Sequence, residues 1–147
     1  MGGPRSPTVL AFDYGLKRIG VAVGNCVSCT AESLATLRAD RGEPDWGEVG
    51  ACVNAWQPGI AIVGVPYNMD GSPGDLTAKA LEFASRLADR FGLEVATVDE
   101  RLSSREAEET LRQRRRSGAL GRRIRREDVD REAACVLLRQ WLGAQRG

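Results

Sequence analysis

Three acidic positions stand where a folded chain could use them for chemistry. Asp13 follows an apolar segment that predicts a strand, Asp99 and Glu100 follow a second such segment, and Asp130 lies in the last predicted helix. Ligands of open α/β sheets bind at the carboxyl ends of the strands. Each acid alone also has a structural explanation, because acids form turns after strands and complement the dipole in the first turn of a helix.

The chain of 147 residues contains no histidine, which limits the chemistry open to these acids. Histidine-dependent nucleophilic catalysis and His-ligated zinc are excluded. Carboxylates gathered at one sheet edge repel each other and raise each other's pKa unless a cation lies between them. Oxygen ligands suit Mg²⁺ or Mn²⁺, and two such ions can stabilise the attacking and leaving oxygens of a phosphodiester cleavage. We therefore predict a magnesium or manganese site for a phosphate substrate.

The basic residues indicate what that substrate is. Although 21 basic and 20 acidic residues leave a net charge of only +1, the segment 111–126 contains eight arginines and no acid. Such a segment could neutralise several backbone phosphates, and a solvated linker is the alternative interpretation. Only two Tyr, three Phe and three Trp are present, most of them at core spacing, so we expect recognition of backbone and shape rather than base stacking.

The remaining composition is typical of one globular domain in a reducing cytosol. No apolar run approaches the roughly 20 residues of a membrane span, and the start lacks a signal-peptide core. Cys26 and Cys29 form a lone C-x-x-C without the further ligands that zinc requires, so we interpret them as incidental thiols. We expect a flexible tail at residues 1–7 and a single domain at residues 8–143.

The strands that must position the acids can be predicted from apolar runs and turn residues. Residues 9–12 and 18–23 predict two strands joined as a hairpin, and residues 33–38 predict a weaker third strand. Residues 60–65 form an apolar run typical of a buried parallel strand, and residues 93–98 predict the next strand. A hairpin followed by alternating helices and strands indicates an α/β domain with a mixed sheet.

Helices are predicted from apolar residues at helical spacing and from residues that favour helix ends. The first helix covers residues 44–56, and the second begins at a cap formed by Asp75 and ends at Gly92. A capping box at residues 103–106 predicts a further helix ahead of the arginine-rich segment.

The last predicted helix carries the third acid. It covers residues 129–142 after a cap formed by Asp128. Asp130 has helical spacing with Ala134 and Leu138, so we expect it on the inward face of this helix.

Four blocks of sequence together resemble one known family. They are residues 11–22 (AFDYGLKRIGVA), 63–71 (VGVPYNMDG), 99–104 (DERLSS) and 129–134 (VDREAA), and in this order they span nearly the whole chain. In these blocks the chain is similar to the YqgF/RuvX family of Holliday-junction-resolvase-like nucleases. The resemblance implies an α/β, RNase-H-like domain with a mixed five-stranded sheet flanked by helices, in a bacterial cytoplasmic nuclease.

The resemblance also implies a site and a substrate. The acidic site of the family falls on Asp13, Glu100 and Asp130, which would be catalytic and would hold one or two Mg²⁺ or Mn²⁺ ions. The role assigned to the family is trimming of the 5′ end of precursor 16S rRNA during ribosome biogenesis, and some members are reported to act on branched DNA. Two positions depart from the family pattern: Leu16 stands where Thr is frequent, and Arg131 stands where Ser or Ala is frequent.

Further residues are expected to contact the nucleic acid. Asn68 and Asp70, on a loop predicted near the same end of the sheet, are second-rank candidates. The predicted phosphate contacts are basic residues that follow the acids or belong to the arginine-rich segment, namely Lys17, Arg18, Arg101, Arg112, Arg114, Arg115 and Arg116.

Other functions compatible with these residues differ in testable ways. An actin-like or sugar-kinase ATPase also has Asp-x-Gly-x-x-x-x-Gly on a hairpin, as at Asp13, Gly15 and Gly20, but it needs two lobes where this length predicts one. No nucleotide cofactor is therefore expected. No membrane partner is expected either, because the sequence has no apolar run of sufficient length. A branched-DNA resolvase and a non-catalytic RNA-binding factor of ribosome assembly are the remaining alternatives, and metal-dependent cleavage distinguishes the nucleases from the binding protein.

Overall fold

The computed structural model describes residues 6–68, 70–99 and 126–146. Glu100, Arg101, the predicted helix at 103–106 and the arginine-rich residues 111–125 lie outside this described part. So do residues 1–5 of the expected tail, while Pro7 accepts a backbone hydrogen bond from Cys26 (2.9 Å). None of the described helices is long and apolar enough to cross a membrane.

A mixed sheet forms the centre of the described domain. Its strands are β1 (Thr8–Asp13), β2 (Arg18–Asn25), β3 (Thr30–Asp40), β4 (Glu43–Pro44), β5 (Ile60–Val65) and β6 (Glu94–Asp99), in the spatial order β4-β3-β2-β1-β5-β6. Strands β1 to β4 pair antiparallel in sequence order, whereas β5 lies parallel to both β1 and β6. The predicted mixed sheet is confirmed, and the two-residue strand β4 adds a sixth strand to the five expected.

Three described helices cover the two faces of the sheet. Helix α1 (Trp46–Trp56) begins after Asp45, whose side chain accepts hydrogen bonds from the first-turn amides of Gly47 and Glu48. Helix α2 (Asp75–Phe91) ends at Gly92 in a left-handed conformation, as predicted. Helix α3 (Arg126–Arg146) is longer at both ends than the predicted 129–142.

Two predicted helix caps are wrong. Asp75 is the first residue of α2, and Gly74 caps the helix instead, donating its amide proton to the Thr77 hydroxyl (2.8 Å). That hydroxyl in turn donates to the carbonyl of Pro66, so the cap is tied to the end of β5. Asp128 lies inside α3, which covers Arg126–Arg146, and therefore does not precede the helix as a cap would.

The alternation of side chains along the strands assigns each residue to one of two cores. On one face, Leu10 and Phe12 of β1 are buried together with residues of α1 and α2. On the other face, Val9 and Ala11 are buried together with Ala134 of α3. Odd-numbered residues of β1 therefore face α3, and this parity decides where the residue after Phe12 points.

Candidate active site at the carboxyl edge of the sheet

Asp13 is the last residue of β1 and belongs to the face that packs against α3. It has the parity of Val9 and Ala11, and it is partly buried. Its cross-strand neighbours are Gly20 on β2 and Gly64 on β5. Neither neighbour has a side chain, and on the β2 side the backbone of α3 occupies the place that a side chain of Gly20 would take.

Asp130 reaches the same place because α3 touches β2 at a glycine. A Cβ atom added to Gly20 would lie 1.9 Å from the backbone carbonyl oxygen of Asp130, so only glycine permits this approach. Gly20 is also the strand partner of Asp13. Gly20 therefore lies between the backbones of Asp13 and Asp130. The structure brings these two predicted site residues together at one edge of the sheet.

An arginine neutralises Asp130 in this arrangement. The Nε of Arg18 donates a hydrogen bond to Oδ2 of Asp130 (2.7 Å), and the two side chains are 29% and 23% exposed. Arg18 lies two residues before Gly20 on β2 and so points to the same face. The residue predicted to contact phosphate is thus already the counter-charge of one predicted catalytic acid.

The carboxyl ends of three parallel strands meet at this edge, as predicted. Asp13 is paired with Gly64 near the end of β5, and Val65 is paired with Asp99 at the end of β6. Glu100 follows Asp99 in the sequence and lies outside the described residues, as do Arg101, Arg112, Arg114, Arg115 and Arg116. Within the described ranges, no three acidic or thiol side chains lie close enough together to hold a metal ion.

The side chains of the second-rank candidates Asn68 and Asp70 form hydrogen bonds within their own loop. The carboxylate of Asp70 accepts hydrogen bonds from the amide (2.9 Å) and the hydroxyl (2.6 Å) of Ser72. The Asn68 side chain donates to the same hydroxyl (3.0 Å). These bonds explain both residues as loop-forming, because Asn and Asp side chains commonly stabilise turns in this way.

The two cysteines lie at the other end of the sheet. Cys26 and Cys29 belong to the turn between β2 and β3, next to Asn25, which pairs with Thr8 at the start of β1. Asn25 lies five residues beyond Gly20 along β2, which corresponds to about 17 Å. The C-x-x-C is therefore remote from Asp13 and Asp130.

One buried acid was missed by the sequence analysis. Glu132 of α3 is 2% exposed, and its carboxylate accepts a hydrogen bond from the Ser33 hydroxyl of β3 (3.2 Å) and approaches Nη1 of Arg139 at 3.5 Å. Its position directly before the run of small and apolar residues at 133–138 was the available signal. These contacts fix the rotation of α3 against β3 just beyond Asp130.

Comparisons with known proteins show which family this chain resembles. A family model described as "RuvX: Holliday junction resolvase" matches residues 7–144. A protein of Histophilus somni named "Putative pre-16S rRNA nuclease" is 46% identical over 136 residues, which cover 92% of this chain and 94% of the relative. A relative of the same name from Pectobacterium carotovorum is 44% identical over 141 residues, covering 96% and 99% of the two chains.

Solved structures show the same fold at low sequence identity. Thermus thermophilus RuvC in complex with a Holliday junction substrate superposes with a TM-score of 0.56 at 18% identity, covering 95% of this chain and 96% of that one. Fowlpox virus resolvase with its junction DNA superposes with a TM-score of 0.60 at 14% identity, covering 95% and 99%. The RNase-H-like fold expected from the sequence is confirmed. Because the family model matches residues 7–144, nearly the whole chain, the chain belongs to the RuvX family of Holliday junction resolvases, a family of phosphodiester hydrolases.

Proposed function

We propose that this protein hydrolyses phosphodiester bonds of structured nucleic acid at the edge of the sheet that carries Asp13 and Asp130, with precursor 16S rRNA as its substrate. The observation that carries the proposal is the contact of α3 with Gly20, which brings Asp130 to the strand partner of Asp13 on one face of the sheet. The names of the relatives at 44–46% identity support the choice of precursor rRNA. On this proposal the substrate is met in the cytoplasm, either as RNA or as part of a precursor ribosomal particle.

The donor set fits a divalent metal ion. Two carboxylates on one face supply the oxygen ligands that Mg²⁺ and Mn²⁺ prefer, and the chain has no histidine to favour zinc. Glu100, which follows Asp99 in the sequence and belongs to the DERLSS block shared with the family, is proposed as the third ligand. When bound, such an ion would polarise the phosphodiester and lower the pKa of a water ligand.

The residues of the chain itself bind and orient the substrate. Asp13 and Asp130 would hold the ion at the end of β1. The Nε of Arg18 donates to Asp130, and the terminal N–H groups of the same guanidinium can bind a phosphate. Lys17, exposed beside Arg18, supplies a second phosphate contact.

Branched DNA is the second candidate substrate. The description of the matched family and the two junction complexes with the same fold favour it. The two substrates differ at the 2′-hydroxyl and in helix form, so a direct comparison separates them.

Cleavage assays on two variants test the proposal. Asp13→Asn keeps the shape of the side chain but removes a ligand charge, so cleavage should fall at least about 100-fold, equivalent to about 3 kcal/mol of transition-state stabilisation. Asp89→Asn removes the same charge from an exposed position of α2 and is the matched control. A 16S precursor transcript and a four-way DNA junction should each be incubated with Mg²⁺ and with EDTA.

The outcomes distinguish the candidate functions. Cleavage of the transcript that requires Mg²⁺ and Asp13 supports the proposal, whereas preferential cleavage of the junction supports the DNA resolvase. Binding of the transcript without cleavage by the wild type would instead identify an RNA-binding protein. Equal activity of the Asp13→Asn and Asp89→Asn variants would show that the site lies elsewhere.

A further inference from the structure

A basic cleft lies on the opposite side of the same sheet edge. It is lined by Leu16, Lys17, Ala39, Asp40, Arg41 and Lys79 and has a volume of about 310 Å³. Three separate segments form it, namely the link between β1 and β2, the turn between β3 and β4, and the first turns of α2. We call it the Lys79 cleft.

Backbone hydrogen bonds hold the two loops of this cleft together. The amide of Gly42 donates to the carbonyl of Leu16 (2.9 Å), and the amide of Ala39 donates to the carbonyl of Lys17 (2.9 Å). The Tyr14 hydroxyl donates a hydrogen bond to the Gly42 carbonyl. Gly42 has a φ of 88°, and a Cβ there would lie 2.7 Å from the Tyr14 hydroxyl, so the turn needs glycine. The cleft is therefore a preformed feature of the fold.

The charge in the cleft is predominantly positive. Lys17, Arg41 and Lys79 are all exposed, and Asp40 is the acid among the six lining residues. In the part of the chain that the structure describes, no carboxylate forms an ion pair with any of these three cations. The neighbouring cavity, which shares Arg41 and Lys79 with the cleft, also contains Glu43 and Glu82. Both acids lie beside Arg86: Glu43 accepts from its two terminal nitrogens (2.7 and 2.9 Å), and Glu82 lies 4.0 Å from Nη1. Three cations and one acid thus leave an anion-binding surface.

The cleft lies at the same edge of the sheet as the candidate active site. Asp13 faces α3, whereas the next residue, Tyr14, is buried on the face of α1 and α2 and holds the turn beside the cleft. Lys17 lies four residues beyond Asp13, at the same edge of the sheet. A polymer bound at Asp13 can cross this edge and continue over the exposed side chain of Leu16.

We propose that the Lys79 cleft binds the phosphodiester backbone of the substrate, on the side of the scissile bond that lies away from α3. The inference rests on the proposed function and adds Arg41 and Lys79 to the residues that contact nucleic acid. Phosphate contacts of this kind fix the register of a nucleic acid without reading its sequence. The planar guanidinium of Arg41 can bind a phosphate through two parallel hydrogen bonds, while Lys79 acts as a point charge.

Equilibrium binding measured without cleavage tests the cleft separately from the catalytic site. Fluorescein-labelled 16S precursor transcript and four-way DNA junction are titrated with protein in EDTA, at salt concentrations between about 50 and 200 mM. Removal of one phosphate-binding side chain should lower the salt slope by about 0.7–0.9, which corresponds to about five- to eightfold weaker binding at 0.1 M salt. We expect this effect in Lys79→Ala and in Arg41→Ala, and roughly twice the slope change in the double variant.

Arg90→Ala is the matched control. Arg90 is exposed at the other end of α2, about 16 Å from Lys79 along the helix axis, and stacks on Trp46. Its replacement removes one positive charge from the same helix and should leave the salt slope unchanged. Lys79→Arg should restore binding, and thermal melts should show that all five variants fold.

The results separate this proposal from the proposed function. Unchanged affinity and slope in the Arg41→Ala, Lys79→Ala double variant would overturn the cleft even if Asp13 proves essential for cleavage. An equal reduction in Arg90→Ala would overturn it as well, since net charge alone would then explain the effect. Weaker binding confined to the cleft variants supports it, even if the wild type cleaves neither substrate. The reduction should appear with whichever of the two labelled nucleic acids the wild type binds more tightly.

Discussion

The contact between Gly20 and α3 makes a sharp prediction about how the candidate site is assembled. A Cβ at Gly20 would lie 1.9 Å from the Asp130 carbonyl oxygen, whereas Cβ atoms essentially never approach other atoms within 3.0 Å. Gly20→Ala must therefore push α3 away from β2 by about 1 Å or more. Overpacking of this kind costs about 1–3 kcal/mol.

The same shift should damage the function more than the stability. Asp130 would move relative to Asp13 by about the displacement of the helix, and the 2.7 Å bond from Arg18 would lengthen with it. A misplacement of about 1 Å in a catalytic group can reduce the rate about 100-fold. We therefore expect Gly20→Ala to unfold at lower urea concentration and to cleave at no more than about one hundredth of the wild-type rate.

Two further glycines separate the effect on stability from the effect on the site. A Cβ at Gly24 would lie 2.5 Å from the Thr30 carbonyl and 2.7 Å from the Leu138 side chain, so Gly24→Ala also overpacks the contact with α3. Gly24 lies four residues along the strand from Gly20, or about 13 Å. The Gly24→Ala variant should therefore lose stability while keeping most of its cleavage activity. Gly143, also on α3, has nothing within 4 Å of an added Cβ, and Gly143→Ala should leave the unfolding free energy unchanged or raise it by up to about 1 kcal/mol.

Urea denaturation curves and cleavage rates of the three variants provide the measurement. A wild-type urea midpoint and wild-type cleavage in Gly20→Ala would refute the close approach of α3 to β2. Equal losses of activity in the Gly20 and Gly24 variants would show that cleavage depends on stability alone, and not on the placement of Asp130.

Two other changes test the charges and hydrogen bonds on either face of the sheet. Arg18→Gln removes the counter-charge of Asp130, so the free energy of unfolding without metal should fall by about 0.5–1 kcal/mol. The same change should make Mg²⁺ bind severalfold more tightly. Thermal melts measure the first effect and calorimetric titration the second, and no change in either would contradict the ion pair. Tyr14→Phe removes the hydroxyl that donates to Gly42 and should cost about 1–2 kcal/mol. Burial, and then the charges of Glu82 and Glu43, hold the pKa of Tyr14 above 10.0, so the unfolded chain loses this proton first. The stability of the wild type should therefore fall relative to Tyr14→Phe as the pH rises above 10, and urea midpoints that stay parallel over this range would contradict the raised pKa.

The sequence predicted the elements well where burial is repetitive. Ile60–Val65 is apolar at every position and was predicted with its observed bounds, because a strand buried on both faces leaves an uninterrupted apolar run. Strand β4 has two residues and thus no periodicity to detect. The misplaced caps at Asp75 and Asp128 have a common cause, since aspartate is favoured both at the cap and within the first turn of a helix.

The residues of the candidate site could be predicted from the sequence, but the contacts between them could not. Asp13 could be recognised because it follows a strand, and Asp130 because it has helical spacing with buried residues of α3. The ion pair of Arg18 with Asp130 joins residues 112 positions apart, and local pattern carries no information about it. Gly20 looks like an ordinary weak position in a strand until α3 is seen to lie against it.

The register of β1 connects the candidate active site with the Lys79 cleft. Asp13 and Tyr14 are consecutive, so their side chains point to opposite faces: one carries the carboxylate beside α3, and the other fixes the turn beside the Lys79 cleft. A slip of one residue would place the phenol on the acidic side and the carboxylate among apolar residues. Pairing with β2 on one side and with β5 on the other opposes that slip, because both registers would have to break together. The acidic site and the basic cleft can therefore lie on opposite faces of the sheet and still keep a fixed spacing along one bound strand.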